Sequence, residues 1–252
     1  MSDRLPLTLW IVRHGESAGN VARYAAMASG AERIALAVRD VDVPLSPRGE
    51  DQARALGRWF AAGQANGRPE IMLASPYSRA QATARLFREV GGAPGSEPVC
   101  VDERLREKEF GIFDGLTTAG VMARYPDQAE LRRLLGKFYH RPPGGESWCD
   151  VVFRLRALLD WVTLHHAGKR VMIVAHQVVV LCLRYVIERM SEEEVLAIDH
   201  AGDVANCSVT EYRFDAAKGG LALVRYNQTA PVAQDAHAEV TTEPDQSLGA
   251  RG

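Results

Sequence analysis

Two histidines stand where an enzyme could use them as a nucleophile or a proton donor. His14 follows an apolar run at residues 7–12, and His176 follows a second apolar run at residues 170–175. Imidazole exchanges protons near neutral pH and forms covalent intermediates in several enzyme classes. A single histidine is more often a hydrogen-bonded structural residue. The two histidines therefore indicate a functional site only in combination with the groups around them.

Arginine side chains accompany the first histidine and indicate an anionic substrate. Arg13 directly precedes His14, and Arg79 follows a short apolar run at residues 71–74. A guanidinium group binds two phosphate oxygens at once. Glu107, further along the chain, follows a third predicted strand. These residue types together indicate a site for an anion such as phosphate.

The elements that must position these groups are strands alternating with helices. Short apolar runs predict buried strands, and longer amphipathic stretches predict helices. Such alternation predicts an α/β fold, a single three-layer α/β/α domain with a mostly parallel central sheet. Ligands bind at the carboxyl ends of the strands in sheets of this type. The predicted strands that precede site residues are 7–12, 71–74 and 170–175.

The chain divides into one domain and a tail. Residues 1–226 are predicted to form the domain, with a helix that begins at Ser46 as its cap. Residues 227–252 are polar and poor in large apolar side chains, so we expect a disordered C-terminal tail. The alanine-rich segment 21–43 is either a lid over the site or a surface insertion.

Composition argues against several function classes. The formal net charge is -2, and no basic stripe interleaves with aromatic residues, so we expect no nucleic-acid partner. No run approaches the roughly 20 apolar residues that span a bilayer, and the N-terminus lacks a signal peptide, so we expect a cytoplasmic protein without a membrane partner. The four cysteines show no metal-ligand spacing, and we expect neither a metal nor a cofactor.

Several sequence blocks, in order, resemble the histidine phosphatase superfamily, also called phosphoglycerate mutase-like. The resemblance extends from residue 9 to about residue 214. It implies the phosphoglycerate mutase-like fold and a metal-free reaction on a small-molecule phosphate ester, with inorganic phosphate as product. The blocks are RHGES at 13–17, LSPRG at 45–49, SPYSRAQATA at 75–84, LREKEFG at 105–111, PGGES at 143–147 and VAHQ at 174–177.

The resemblance also implies which residues hold the phosphoryl group. His14 is the expected nucleophile, which forms a phosphohistidine intermediate by in-line attack. The other groups stabilise charge on the equatorial oxygens, so no metal is required. The expected phosphate-binding residues are Arg13, His14, Asn20, Arg79, His176 and Gln177.

Proton transfer is assigned by the same resemblance. Glu107, rather than its neighbour Glu109, matches the residue that protonates the leaving oxygen and then deprotonates the attacking water. The nearby arginines should lower the pKa of His14 and keep it neutral, as a nucleophile must be. We expect His176 to be charged, or at least to donate a hydrogen bond.

The range of expected substrates is narrowed by a resemblance to phosphatase members of the family, such as the bisphosphatase domain of fructose-2,6-bisphosphatase. That likeness implies sugar-phosphate contacts from Tyr125, Arg133 and Lys137, although Leu181 replaces an arginine of that family. The basic residues fit a solvated helix face equally well. Residues 111–144 lack the longer insertion of cofactor-dependent mutases, which favours hydrolysis. We expect a phosphorylated sugar or a similar small anion.

Three alternative functions stay open at this point. One is phosphoglycerate mutase activity, and another is a phosphatase that acts on phosphohistidine or phosphotyrosine in proteins. The third is a catalytically silent binding protein, which usually lacks a nucleophile or an arginine that this chain retains. The sequence makes no prediction of the oligomeric state.

Overall fold

A central six-stranded sheet organises the protein, whose structure is a computed structural model that describes residues 5–63, 67–95 and 98–242. The strands are β1 (Thr8–Arg13), β2 (Ile71–Ala74), β3 (Cys100–Val101), β4 (Arg170–Ala175), β5 (Val209–Asp215) and β6 (Gly220–Gln228). Their spatial order is β3-β2-β4-β1-β5-β6. Strands β1 to β4 run parallel to one another, while β5 pairs antiparallel with both β1 and β6. This confirms the prediction of a mostly parallel sheet.

Helices cover both faces of the sheet. They are α1 (Ala18–Ala28), α2 (Pro47–Ala61), α3 (Ser78–Glu89), α4 (Thr118–Arg124), α5 (Pro126–Tyr139), α6 (Trp148–His165), α7 (Gln177–Glu188), α8 (Glu192–Ala201) and α9 (Ala230–Ala233). Within the described ranges, none of these helices combines the length and the apolarity needed to cross a membrane.

The two apolar cores come from the alternation of side chains along the strands. Leu9 and Ile11 of β1 face a core shared with α6 and α7. Trp10 and Val12, between them, face a second core shared with α2 and α3. Because both faces are covered, β1 is buried along its whole length and reads as a continuous apolar run. The predicted three-layer α/β/α arrangement is confirmed.

The start of α2 positions the loop that follows β1. The Ser46 hydroxyl caps α2 by accepting from the Gly49 N–H at 3.0 Å, with Pro47 in the first turn, as predicted. The same hydroxyl donates to Glu16 Oε1 at 2.6 Å, and Arg48 forms an ion pair with Glu16 at 3.3 Å. The RHGES and LSPRG blocks therefore contact each other.

Glycine permits the close approach of these two segments. A Cβ atom on Gly49 would lie 1.9 Å from the backbone oxygen of Glu16, and one on Gly15 would lie 2.4 Å from the oxygen of Gly49. Real Cβ atoms do not come so close to backbone atoms, so neither position accepts a side chain without a backbone shift.

The C-terminal segment differs from the predicted disordered tail. Residues 227 and 228 complete β6, and α9 buries Val232 in the core that α2 lines. The Gln52 amide donates to the oxygen of Glu239 at 2.7 Å and to the Thr241 hydroxyl at 2.8 Å. These contacts order a polar segment that composition alone cannot distinguish from disorder. Residues 243–252 lie outside the described ranges.

The contact at Gly49 predicts the effect of a single methyl group. Gly49→Ala should lower the free energy of unfolding by about 1–3 kcal/mol, because the backbone must shift to accept the methyl group. Urea denaturation measures this change. Gly220→Ala is the matched control, since its Cβ would lie 4.0 Å from the Lys218 oxygen, the nearest atom beyond the two adjacent residues. Equal stability of the two variants would show that the contact imposes no constraint.

Candidate active site

Three adjacent strands end at the same edge of the sheet and bring the predicted site together. His14 follows β1, Ser75 follows β2 and His176 follows β4. Since β4 lies between β2 and β1 in the sheet, the three residues are neighbours across it. Backbone hydrogen bonds continue past the strands, with His14 N–H donating to the Ala175 oxygen at 2.9 Å. Sequence reasoning placed both histidines at this edge.

The ring of His14 is held at both nitrogens. Its Nδ1 lies 2.6 Å from the Gly15 oxygen, which can only accept, so Nδ1 carries the ring proton. The Nε–H of Arg79 points at Nε2 from 3.3 Å. Burial, followed by the charges of Arg79 and Arg13, keeps the pKa of His14 well below its usual value. The imidazole is therefore neutral at neutral pH, with its lone pair on Nε2.

The surroundings of His176 favour a neutral ring, whereas the sequence predicted a charged or at least a donating one. It is fully buried, and its pKa lies well below the usual value because of that burial and of nearby Arg79. Its ring centroid is 5.1 Å from that of His14, and its Nε2 lies 2.8 Å from the Ser75 hydroxyl. A neutral imidazole still donates one hydrogen bond.

Both arginines are almost completely buried and held by protein acceptors. Arg13 is 1% exposed, and its Nη1 donates to the Val204 oxygen at 2.5 Å. Arg79 is 5% exposed, its guanidinium lies 4.8 Å from the centre of the Tyr77 ring, and its terminal nitrogens contact Asp40. Fixed guanidinium groups of this kind stabilise developing charge without reorganising during a reaction.

A cavity of about 250 Å³ opens beside His14. The His176 ring packs against the His14 ring beside this cavity, and its buried Nδ1 has no hydrogen-bond partner among the described residues. Aliphatic and aromatic side chains form part of the wall, among them Leu36, Phe110 and Phe113. The predicted site residues that line this cavity are Arg13, His14, Asn20, Arg79, Glu107 and Gln177.

Asn20 and Gln177 each lie in the first turn of a helix at the cavity. The Asn20 side-chain oxygen accepts from the Ser17 N–H at 2.9 Å in the capping box of α1. The Gln177 amide donates to Asp203 at 2.9 Å, and its own backbone N–H belongs to the first turn of α7. N–H groups in a first helical turn suit an anion.

Glu107 has the protonation behaviour of a general acid. It lines the cavity, and its Oε1 accepts the Lys108 N–H at 2.8 Å. The surrounding protein desolvates the carboxyl group and raises its pKa to about 7. The neighbouring Glu109 instead accepts from the Tyr77 hydroxyl at 3.2 Å and is exposed. The distinction between the two glutamates agrees with their different surroundings.

The three predicted substrate-binding residues are not among the side chains in the wall of this cavity. Tyr125 ends α4 and packs its ring against Phe113 at 6.0 Å. Arg133 is exposed and bonded to Glu130 at 2.7 Å, while Lys137 forms an ion pair with Asp199. Helical geometry is interrupted at Gly136, which lies between Arg133 and Lys137.

Sequence reasoning missed Ser75, Tyr77 and Asp40. Ser75 follows β2 directly, and this position was a usable signal because ligands gather at strand ends. The Tyr77 ring lies 4.9 Å from that of His176. Asp40 lies in an irregular stretch where no periodicity indicates that its carboxylate contacts Arg79.

Positive charge at the site comes from guanidinium groups. Across residues 5–63, 67–95 and 98–242, no group of three or more His, Cys, Asp or Glu side chains is arranged to hold a metal ion.

Relatives of known sequence place these features in a family. The 2,3-bisphosphoglycerate-dependent phosphoglycerate mutase 2 of Gloeobacter violaceus is 30% identical over 194 residues, or 76% of this chain and 80% of that protein. The phosphoglycerate mutase-like protein AT74H of Arabidopsis thaliana is 34% identical over 167 residues, or 62% of this chain and 53% of that protein.

Solved structures share the fold. The mycobacterial glucosyl-3-phosphoglycerate phosphatase in complex with VO3 superposes with a TM-score of 0.66 at 26% identity, covering 88% of this chain and 99% of that chain. The alpha-ribazole phosphatase of Shigella flexneri gives a TM-score of 0.69 at 21% identity, covering 88% and 96%. The sequence model of the family matches residues 9–229. The chain thus belongs to the histidine phosphatase superfamily (branch 1).

Proposed function

We propose that this protein is a metal-independent phosphatase that hydrolyses a phosphomonoester of a small metabolite through a phosphohistidine intermediate on His14. One observation carries the proposal. The unprotonated Nε2 of His14 faces a buried guanidinium, in a cavity that Glu107 also lines. A neutral nucleophile, a fixed cation and a carboxyl group with a raised pKa are the parts that phosphoryl transfer needs.

In the first step, His14 Nε2 attacks phosphorus and the bond from phosphorus to the ester oxygen breaks. The departing oxygen takes a proton from Glu107, which is why a pKa near 7 suits it. Arg13, Arg79 and His176 stabilise the equatorial oxygens, with Asn20 and the first-turn N–H of Gln177 as further donors. In the second step, Glu107 takes a proton from water, which attacks the phosphohistidine and releases inorganic phosphate.

The cavity favours a small substrate over a phosphoprotein. Its volume of about 250 Å³ accommodates a phosphoryl group with a modest organic group, whereas a protein loop requires an open cleft. The apolar side chains of its wall, such as Phe110 and Phe113, suit an organic group with a carbon-rich face. The likeness to structures named as phosphatases supports hydrolysis.

Phosphoglycerate mutase activity is the second candidate, because the 30% identical Gloeobacter violaceus relative carries that name. A mutase would interconvert 2- and 3-phosphoglycerate in the presence of catalytic 2,3-bisphosphoglycerate. A phosphatase would instead release inorganic phosphate from such esters. Measuring both products in one assay distinguishes the two activities.

The nucleophile is tested by removing its imidazole. His14→Ala should lower the turnover of p-nitrophenyl phosphate by at least about a thousandfold, because no other group takes its place in the first step. Circular dichroism establishes that the variant is folded. His200→Ala, which removes an exposed imidazole, is the control and should retain full activity. Substantial turnover by His14→Ala would remove His14 from its proposed role.

The general acid is tested through pH. With an ester of a poor leaving group, wild-type kcat/KM should fall as pH rises through about 7, because Glu107 loses the proton that it donates. Glu107→Gln should slow this ester by about 10²–10⁴-fold, remove the pH limb, and affect p-nitrophenyl phosphate much less. Glu109→Gln is the matched control. An equal loss for good and poor leaving groups would contradict the acid role.

The same group links stability to pH. Folded Glu107 retains its proton up to about pH 7, whereas the unfolded chain releases it near the ordinary value for glutamate. Its contribution to stability is therefore full below that ordinary value and is lost as pH rises through 7. Urea unfolding should show this pH-dependent loss in the wild type and a smaller one in Glu107→Gln.

A further inference from the structure

A carboxylate already holds the terminal nitrogens of the catalytic arginine. Asp40 Oδ1 lies 3.0 Å from Nη1 of Arg79, and Asp40 Oδ2 lies 3.2 Å from Nη2. The backbone oxygen of Asp40 also accepts from Nη1 at 2.6 Å. The Arg79 side chain is only 6% exposed. Its terminal nitrogens are therefore occupied mainly by Asp40.

Asp40 belongs to a segment that covers the cavity. Residues 29–46, here called the cover segment, connect α1 to α2 and contribute Ile34, Leu36 and Val38 to the cavity wall. The Ile34 N–H of this segment donates a hydrogen bond to the Gly115 oxygen at 2.9 Å. Further along the segment, Asp40 forms the ion pair with Arg79. The carboxylate therefore joins the cavity wall to the reaction centre.

A phosphoryl group and the Asp40 carboxylate both bind the guanidinium group of Arg79. Both are anions that bind a guanidinium in a bidentate way. The Nε–H of Arg79 already points at the nucleophile, and its two terminal nitrogens point at Asp40. Three of the five N–H groups of Arg79 donate to Asp40, so a phosphoryl group on His14 Nε2 can receive at most the Nε–H and one N–H of Nη2 unless Asp40 gives way. Asp40 and a phosphate dianion also repel each other across the cavity.

Building on the proposed phosphatase function, we propose that Asp40 is an internal competitor for the phosphoryl site. Its carboxylate binds Arg79 in place of phosphoryl oxygens, and a phosphorylated ligand releases Asp40 together with the cover segment. The contact thereby sets the affinity for phosphate, weakens retention of the inorganic product, and couples ligand binding to movement of the cavity wall.

The chain supplies a matched control two residues away. Asp42 lies in the same short helix, Asp40–Asp42, and pairs with exposed Arg39 at 3.0 Å. Asp40→Asn and Asp42→Asn both remove one negative charge and keep the side-chain shape. General electrostatic effects should therefore be similar in the two variants, while competition at Arg79 is lost only in the first.

Isothermal titration of inorganic phosphate into the full-length protein tests the proposal. Asp40→Asn should bind phosphate about tenfold more tightly than the wild type, which corresponds to about 1.4 kcal/mol. Asp42→Asn should change the dissociation constant by less than about twofold. Unchanged or weaker phosphate binding in Asp40→Asn would overturn the proposal, and weaker binding would mean that Asp40 orients Arg79 instead.

Amide hydrogen exchange of the wild type is a second test of the proposed release of Asp40. If phosphate releases Asp40, saturating phosphate should increase amide exchange in residues 33–43 of the cover segment. Slower exchange there on phosphate addition would contradict the proposed release. In Asp40→Asn this part of the cover segment should exchange rapidly without phosphate and change little when it is added.

These measurements separate the proposal from the function on which it rests. Phosphate affinity is measured without turnover. If the protein binds phosphate but hydrolyses no ester, the phosphatase function is refuted, and the phosphate affinities still test the role of Asp40. Absence of phosphate binding in both the wild type and Asp40→Asn would refute the competitor role itself.

Discussion

The imidazole of His14 is fixed between a carbonyl group and a guanidinium, and the chemistry of the site depends on this arrangement. The Gly15 oxygen holds the proton on Nδ1, and Arg79 directs an N–H at Nε2. Burial and two arginine charges keep the pKa low enough for the ring to be neutral. The result is an imidazole whose Nε2 lone pair faces the guanidinium of Arg79, a cation that can also bind a phosphoryl oxygen.

The scaffold maintains this arrangement through contacts that each involve another sequence block. The loop that carries His14 lies against α2 at Gly49, while Glu16 is held by Ser46 and Arg48. On the other side, the Asn206 amide donates to the His14 oxygen at 3.0 Å. Because the loop is held from both sides, its freedom to move is small and the ring orientation is determined before any substrate arrives.

Charged side chains of both signs line the cavity. Burial lowers the pKa of both histidines, which favours their neutral forms, and raises the pKa of Glu107 to about 7. The other ionisable side chains in the cavity wall are the guanidinium groups of Arg13, Arg23, Arg33 and Arg79 and the carboxyl groups of Asp40 and Asp114. A phosphate dianion is attracted by the guanidinium groups and repelled by the carboxylates.

Sequence reasoning predicted the sheet and the convergence of the two histidines, because strands buried on both faces give uninterrupted apolar runs and parallel strands end at one edge. It could not place residues whose position depends on irregular backbone. Arg133 faces solvent on a helix interrupted at Gly136, and Asp40 reaches Arg79 from a stretch without periodicity. The docking of residues 229–242 depends on individual hydrogen bonds, such as those of Gln52, that composition does not encode.

The central claim is that a phosphoryl group is carried on His14, and trapping that intermediate tests it most directly. The enzyme is mixed with a phosphorylated substrate, quenched in alkali within milliseconds, digested and mapped by mass spectrometry. The account predicts an acid-labile, alkali-stable phosphoryl group on the peptide that contains His14, at a level that declines as substrate is consumed. A phosphoryl group found on a different residue under turnover conditions would contradict it.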